Sequence, residues 1–175
     1  MVTGMEDVVV SKVLVVDPSK CSGCRVCENV CSFTHTLECN PARGRVSVVK
    51  LEAAGIDFPV MCRHCETPLC EKACPVPGAN RRDTATGAMK IEYDRCIGCR
   101  YCMIGCPFGA ISLDISTQKV IKCDLCDGDP KCAKWCPEGA ISYVRADRAN
   151  MLPKHGWVTN MAPALNAANS AQTEP

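Results

Sequence analysis

The apolar residues of this chain fall in short runs that are rich in valine and isoleucine. Runs of this length, bounded by polar, glycine or proline residues, are typical of short strands. They predict strands within residues 8–17, 46–51, 89–93, 110–113 and 140–143. No apolar run approaches the ~18 residues that a membrane-spanning helix requires. The pattern indicates an α+β protein of short strands and short helices with no direct membrane span.

A short repeat connects two of these strands to the residues before them. The pattern Cys-Pro-x-Gly-Ala-Ile-Ser occurs at residues 106–112 and again at 136–142. Proline ends a preceding helix because it has no N–H and its ring clashes with the turn before it. We therefore expect about one helical turn before each proline. We expect loops in the segments between these elements, at residues 32–44 and 76–87.

Cysteine changes this picture most, because 17 of the 175 residues are cysteine. Sixteen of them form four groups, and only Cys39 stands outside. The first and third groups have the spacing C-x2-C-x2-C-x3-C, with which bacterial ferredoxins bind [4Fe-4S] clusters. The second and fourth groups are wider versions of it. The groups are Cys21, Cys24, Cys27 and Cys31; Cys62, Cys65, Cys70 and Cys74; Cys96, Cys99, Cys102 and Cys106; and Cys123, Cys126, Cys132 and Cys136.

The sixteen grouped cysteines are the number that four [4Fe-4S] clusters require, because each cluster binds iron through four thiolates.

Aromatic residues make up only 5% of the chain, so the apolar core is thin. Metal binding and folding are linked in such proteins, and we expect the metal-free chain to be poorly folded. Cys39 is expected to be an ordinary spare thiol.

Disulfides and zinc sites are the other uses of so many cysteines. Disulfide-rich secreted domains usually follow a signal peptide. Here the cysteine count is odd, the cysteines are clustered, and residues 1–10 lack a basic segment followed by a long apolar one. Structural zinc sites also use C-x2-C pairs, but they draw two ligands from each of two pairs. The crowded groups favour iron–sulfur clusters, with a structural zinc-binding module retained as an alternative.

The spacing leaves open which cysteines share a cluster. In two-cluster ferredoxins the fourth cysteine of one run ligates the other cluster, so the four groups must pair. The third group follows the second closely, which makes these two a natural inner pair and the first and fourth an outer pair. The alternative pairs the first group with the second and the third with the fourth. Spacing alone does not exclude it.

The charge of the chain limits the classes of function. Lysine and arginine total 20, aspartate and glutamate 19, and the formal net charge is +1. No basic run suggests a nucleic-acid partner, and no nucleophile–base pair, carboxylate dyad or phosphate loop suggests catalysis by the chain itself. Basic residues beside the cysteines either compensate thiolate charge or are solvated surface charges. They are Arg25, Arg63, Arg100, Lys122 and Lys131.

The order of the cysteine groups resembles that of the four-cluster ferredoxin subunits. Those subunits serve molybdenum and tungsten oxidoreductases, formate dehydrogenases, carbon monoxide dehydrogenase and membrane hydrogenases. The opening of the chain is similar to that family at Cys21 to Glu28, Cys31, Ser32, His35, Asn40, Pro41 and Arg43 to Val46. The resemblance covers roughly residues 13–144. It implies a fold of tandem bacterial-ferredoxin-like modules around four [4Fe-4S] clusters.

The resemblance also implies the nested pairing of the groups. The four ligand sets are then Cys21, Cys24, Cys27 and Cys136; Cys123, Cys126, Cys132 and Cys31; Cys62, Cys65, Cys70 and Cys106; and Cys96, Cys99, Cys102 and Cys74. Residues 8–50 with 115–150 would form an outer module, and residues 51–114 an inner module. Residues 151–175 have no periodic pattern and are expected to be disordered or to dock on a partner.

Two functions of different class follow from this interpretation. In the first, the chain is an electron-transfer subunit, with no catalysis of its own, in a hetero-oligomer with a larger tungsten or molybdenum catalytic subunit. Chain length and the absence of a membrane anchor favour the small subunit of a tungsten aldehyde oxidoreductase. A flavin subunit or ferredoxin would be the second redox partner, and copies could stack end to end. In the second, it is a free polyferredoxin. The near-zero charge favours the first, because diffusing ferredoxins use acidic residues for steering. A reducing bacterial or archaeal cytoplasm suits either.

Overall fold

The computed structural model describes residues 12–149, and the predicted tail at 151–175 lies outside that range. The helices are α1 (Val26–Thr36), α2 (Leu69–Lys72), α3 (Tyr101–Ile104) and α4 (Lys131–Lys134). The strands are β1 (Lys12–Val16), β2 (Ser47–Leu51), β3 (Ile56–Val60), β4 (Asn80–Arg82), β5 (Met89–Ile91), β6 (Ile111–Asp114), β7 (Lys119–Lys122) and β8 (Ile141–Arg145). The predicted α+β class of short elements is confirmed.

The strands pair in four two-stranded antiparallel sheets. Three are local hairpins, β2 with β3, β4 with β5, and β6 with β7. The fourth joins the two ends of the described chain, because β1 pairs with β8 in the register Lys12 to Arg145 and Val16 to Ile141. This pairing brings the first cysteine group beside the fourth. Helices α1 and α4 pack together accordingly, and α2 packs on α3.

Helix α1 is longer than the sequence predicted, because it continues through part of the expected loop at residues 32–44. Cys31 is followed by Ser32, whereas the fourth cysteine of every other group is followed by proline. Without that proline the helix runs to Thr36 and ends at Leu37, whose φ of 58° is left-handed. The Ser32 hydroxyl accepts a hydrogen bond from the Asn40 N–H at 3.1 Å, which ties the returning chain to the helix.

The loop predicted at residues 76–87 is also partly wrong, because strand β4 lies within it. Asn80 and Arg82 oppose Ile91 and Met89 of β5. The polar composition of β4 concealed it, since strand predictions rely on apolar and β-branched residues. The hairpins β2–β3 and β6–β7 span the predicted module boundaries at 50/51 and 114/115. The division into outer and inner modules stays a prediction.

Cysteine side chains form part of the main apolar core. Cys27, Cys31 and Cys132 are buried there with four aliphatic residues, Val46, Val48, Met61 and Ile141. Several large apolar residues are instead exposed, including Phe33, Trp135 and Ile104. The core is therefore built around the cysteine groups rather than around aromatic side chains.

Glu28 is a buried carboxylate that joins α1 to β2. Its side chain is 4% exposed, and Oε1 accepts a hydrogen bond from the Val48 N–H at 2.5 Å. We expect Glu28→Ala to lower the free energy of unfolding by about 1–3 kcal/mol, because the buried N–H would lose its partner. Glu28→Gln keeps an acceptor oxygen and should lose less. Anaerobic guanidinium unfolding measures both variants, and equal losses would contradict this role for the hydrogen bond.

Two arginines connect distant segments. Arg43, in the 3-10 turn Pro41–Arg43, donates two hydrogen bonds to Asp114 Oδ2 at the end of β6, at 3.1 and 2.9 Å. The pKa of Asp114 is strongly lowered, by hydrogen bonds from Ser116 and then from Arg43. Arg45 forms an ion pair with Asp124, beside Cys123.

Within residues 12–149 no helix is long and apolar enough to cross a bilayer.

Candidate metal centres

Four cavities in the described part of the chain are each lined by four cysteines. The empty space at each is about 310–350 Å³, counting the part that is open to solvent. The first cavity is lined by Cys21, Cys24, Cys27 and Cys136. The second is lined by Cys31, Cys123, Cys126 and Cys132. The third is lined by Cys62, Cys65, Cys70 and Cys106, and the fourth by Cys74, Cys96, Cys99 and Cys102. Cys39 is exposed and lines none of these four cavities.

Shared elements place the cavities in a row. Helix α1 carries Cys27 of the first cavity and Cys31 of the second. The segment of α4 has the reverse order, because Cys132 lines the second cavity and Cys136 the first. The segments of α2 and α3 connect the third and fourth cavities in the same way. Met61 lines the second cavity, and the next residue, Cys62, lines the third. The order along the molecule is therefore first, second, third, fourth.

Left-handed backbone turns bring the thiols of the first and third groups together. Gly23 and Gly98, between the first two cysteines of each group, have φ of 65° and 71°. Arg25 and Arg100, directly after the second cysteine, have φ of 59° and 65°. Residues with a Cβ rarely adopt this conformation, so its repetition at matching positions indicates a specific loop. Each turn reverses the chain so that successive thiols face one cavity.

Burial makes these thiols hard to ionise in the absence of metal. It raises the pKa of Cys27 to about 12, with the nearby Glu28 carboxylate adding to the effect. Burial, with the neighbouring Cys31, likewise raises the pKa of Cys132 to about 12. The pKa of Cys123 is raised well above its ordinary value, again by burial first. Four thiolates in one such cavity therefore require cations among them, which is the donor set of a metal centre.

Backbone N–H groups point at several of the sulfur atoms. The Arg45 N–H donates to Cys31 Sγ at 3.2 Å, the His64 N–H to Cys62 Sγ at 3.4 Å, and the Leu125 N–H to Cys123 Sγ at 3.5 Å. Hydrogen bonds of this kind favour the charged thiolate form. They therefore suit cysteines that act as metal ligands.

The sulfur atoms of each cavity do not converge on one point. Among residues 12–149, which include every cysteine, no three of these sulfurs lie within 4.8 Å of one another. Four sulfurs on one zinc ion, with Zn–S of about 2.3 Å, would lie ~3.8 Å apart. In the described residues, the one group of potential ligands within this limit is mixed, with His35, Asp124 and Cys126 at the second cavity. The sets of four sulfurs therefore suit a group larger than a single ion.

The two histidines of the cysteine-rich segments make different contacts. His35 lies on α1, with Nε2 3.9 Å from Cys126 Sγ and 3.6 Å from Asp124 Oδ1. His64 Nδ1 accepts a hydrogen bond from the Met89 N–H at 2.9 Å. Burial lowers the pKa of His64 to about 4, with Lys122 and Arg82 contributing. His64 is therefore neutral at neutral pH and joins the second cysteine group to β5.

The basic residues beside the cysteines lie in three kinds of surroundings. Arg25, Arg63 and Arg100 line the first, third and fourth cavities. Lys131 forms an ion pair with Asp129 outside them. Lys122 is instead buried, together with Val120 and Ile121, in the last three residues of β7. The sequence did not predict this burial, because it does not follow the alternation of a half-buried strand.

Comparison with known proteins identifies the chemistry of these sequences. Residues 53–147 match the 4Fe-4S dicluster domain family, and residues 14–33 match the 4Fe-4S binding domain family. Together with the cysteine-lined cavities, these matches support binding of [4Fe-4S] clusters. They also confirm the predicted resemblance to ferredoxin-type subunits.

Three similar proteins are named as subunits of oxidoreductases. The B subunit of sulfite dehydrogenase of Allochromatium vinosum is 34% identical over 131 residues, covering 64% of this chain and 54% of the relative. The beta chain of NADH-dependent phenylglyoxylate dehydrogenase of Aromatoleum evansii is 35% identical over 161 residues, covering 90% and 35%. The polyferredoxin-like subunit of aliphatic sulfonate oxidoreductase of Pyrococcus furiosus is 36% identical over 112 residues, covering 64% of each. The chain thus spans between about a third and two thirds of these relatives.

Proposed function

Because this chain belongs to the 4Fe-4S dicluster domain family, we propose that it is an electron-transfer subunit of a larger oxidoreductase, without catalysis of its own. The observation that carries this proposal is the row of four cavities, each lined by four cysteines. Relatives named as subunits of sulfite dehydrogenase and phenylglyoxylate dehydrogenase support it.

The finer proposal is that each cavity binds one [4Fe-4S] cluster, so that the chain holds four. When bound, such a cluster takes up and releases single electrons. The chain supplies four thiolates per cavity, backbone N–H donors to several sulfurs, and a low-dielectric surrounding. In the described residues no three sulfurs lie close enough together to share one zinc ion, which argues against the structural zinc alternative. The ligand sets are the cysteines that line each cavity.

Metal analysis of the anaerobically purified protein tests this function. We expect about sixteen iron and sixteen acid-labile sulfide atoms per chain, a brown colour, and reduced forms with the magnetic resonance signals of interacting clusters. A redox titration should show several one-electron steps. A colourless preparation with about four zinc ions per chain would overturn the proposal in favour of a structural zinc module.

Redox partners are proposed at both ends of the row of cavities. Large apolar residues remain exposed near the fourth cavity: Ile97 lines it, and Tyr101 and Ile104 lie in the short helix that carries its ligand Cys102. At the first cavity, Trp135 is 61% exposed and precedes the lining residue Cys136. Exposed apolar side chains grouped beside a functional site are typical of protein interfaces. A catalytic subunit would contact one end, and a second redox partner the other.

The chemistry of these partners follows the sequence interpretation. We propose a tungsten or molybdenum catalytic subunit at one end and a flavin subunit or ferredoxin at the other, in the cytoplasm. Copies of the chain would stack end to end through contacts between these same two ends. A free polyferredoxin is the alternative function. Purification of the native protein distinguishes them, because a permanent subunit co-purifies with a larger chain and its metal, whereas a free carrier elutes as a monomer.

Ile104→Asp is expected to weaken one partner contact without loss of clusters. Ile104 is 82% exposed, so the charge costs little in the isolated chain, but it would be buried against a partner at the fourth cavity. We expect roughly tenfold weaker association, equivalent to about 1.4 kcal/mol. Leu37→Asp, at a residue 79% exposed at the end of α1, is the matched control. Pull-down from native cells measures both, and equal recovery would contradict a partner at this end.

A further inference from the structure

Lys122 is a buried cation at the end of β7. Its side chain is 3% exposed. In the described part of the chain, its ammonium has two acceptors, Asn80 Oδ1 at 2.6 Å and Cys70 Sγ at 3.7 Å. Neither is a carboxylate. An ammonium buried without a counter-charge is strongly unfavourable, so the surroundings of Lys122 call for an anion.

The position of Lys122 identifies that anion. Cys70 lines the third cavity, Asn80 lines the fourth, and the next residue in the chain, Cys123, lines the second. The ammonium therefore lies between the third and fourth cavities, where thiolate-ligated clusters would supply negative charge.

Asn80 holds this arrangement in place. It is 3% exposed, and its Nδ2 donates a hydrogen bond to the Cys70 carbonyl oxygen at 3.1 Å. That bond directs Oδ1 towards the Lys122 ammonium. The ammonium is thus fixed between Asn80 and Cys70 and has no solvent-facing alternative. A fixed, desolvated charge acts on its neighbours far more strongly than a surface lysine does.

We propose that Lys122 is a potential-setting residue, which raises the reduction potential of the cluster held by the third cavity above that of the same cluster without it. This rests on the proposed function, because it requires clusters in the cavities. Reduction adds one electron from an external low-potential reductant and makes the site one charge more negative. A fixed cation beside Cys70 stabilises that reduced form more than the oxidised form. Electrons would then favour the third cavity within the row.

The test is a redox titration followed by electron paramagnetic resonance on the full-length protein with its clusters. In Lys122→Gln we expect the reduced-to-oxidised ratio of one cluster at a fixed ambient potential to fall about tenfold, equivalent to about 59 mV for a one-electron couple. Lys122→Arg retains the charge and should retain the potential. Lys72→Gln is the matched control, because Lys72 is two residues from Cys70 but exposed. It should change the ratio little.

The outcomes separate this inference from the proposed function. Iron and sulfide content is measured first, and a wild-type chain without clusters would overturn both. Full iron content with an unchanged titration in Lys122→Gln would overturn only the role of Lys122. If Lys122→Gln does not retain its iron, Asn80→Asp decides, because it places a carboxylate against the ammonium without removing it. We expect that variant to lower the same potential by a smaller amount, and no shift would reject the inference.

Discussion

Cys24→Ala and Cys136→Ala are expected to disrupt the same metal centre, although the two residues lie in the first and fourth cysteine groups. Both line the first cavity. Each single variant should lose about four of about sixteen iron atoms, and the double variant should lose no more than either alone. Changes at residues of one site are non-additive because the second change has nothing left to remove.

The matched double variant is Cys24→Ala with Cys74→Ala. Cys74 lines the fourth cavity, so we expect the losses to add to about eight iron atoms. Pairing of consecutive groups predicts the reverse, since Cys74 would then complete the first cluster. Cys39→Ala is the control, because Cys39 is exposed and should leave the iron content unchanged. Iron and sulfide analysis with magnetic resonance of each variant decides between the two pairings.

Removal of the metal is expected to unfold the chain rather than leave a native scaffold with open sites. Cys27, Cys31 and Cys132 are part of the main core. Binding of a structural metal contributes about 10 kcal/mol or more in small domains, which is as large as the roughly 5–15 kcal/mol net stability of typical proteins. The remaining valine, isoleucine and methionine contacts are too few to replace it.

Anaerobic chelation under reducing conditions tests this expectation. We expect loss of the cooperative unfolding transition and of amide exchange protection in β1 and β8, whose pairing joins the chain ends. Adding back iron and sulfide should restore both, which excludes chemical damage as the cause. A metal-free chain that keeps native exchange protection would show that the polypeptide folds alone.

Local elements were predicted where the chain carries a strong signal. The strands at β5, β6 and β8 follow apolar runs, and the short helices before Pro75, Pro107 and Pro137 end where proline requires. The length of α1 was missed because Ser32, which replaces the proline of the other groups, does not itself predict a longer helix. A helix continues past such a position only if no other residue ends it. Strand β4 was missed because its residues are polar, and only pairing with β5 makes it a strand.

The number and spacing of the cysteines, without the structure, already favoured iron–sulfur clusters, because the first three thiols of each group lie close enough along the chain to bind one cluster. Which fourth cysteine faces which three was decided only by tertiary structure. Pairing of β1 with β8 brings Cys136 to the first group, and no local spacing contains a contact between the two ends of a chain. The burial of Lys122 was decided in the same way, since a side chain becomes desolvated only when distant segments close around it.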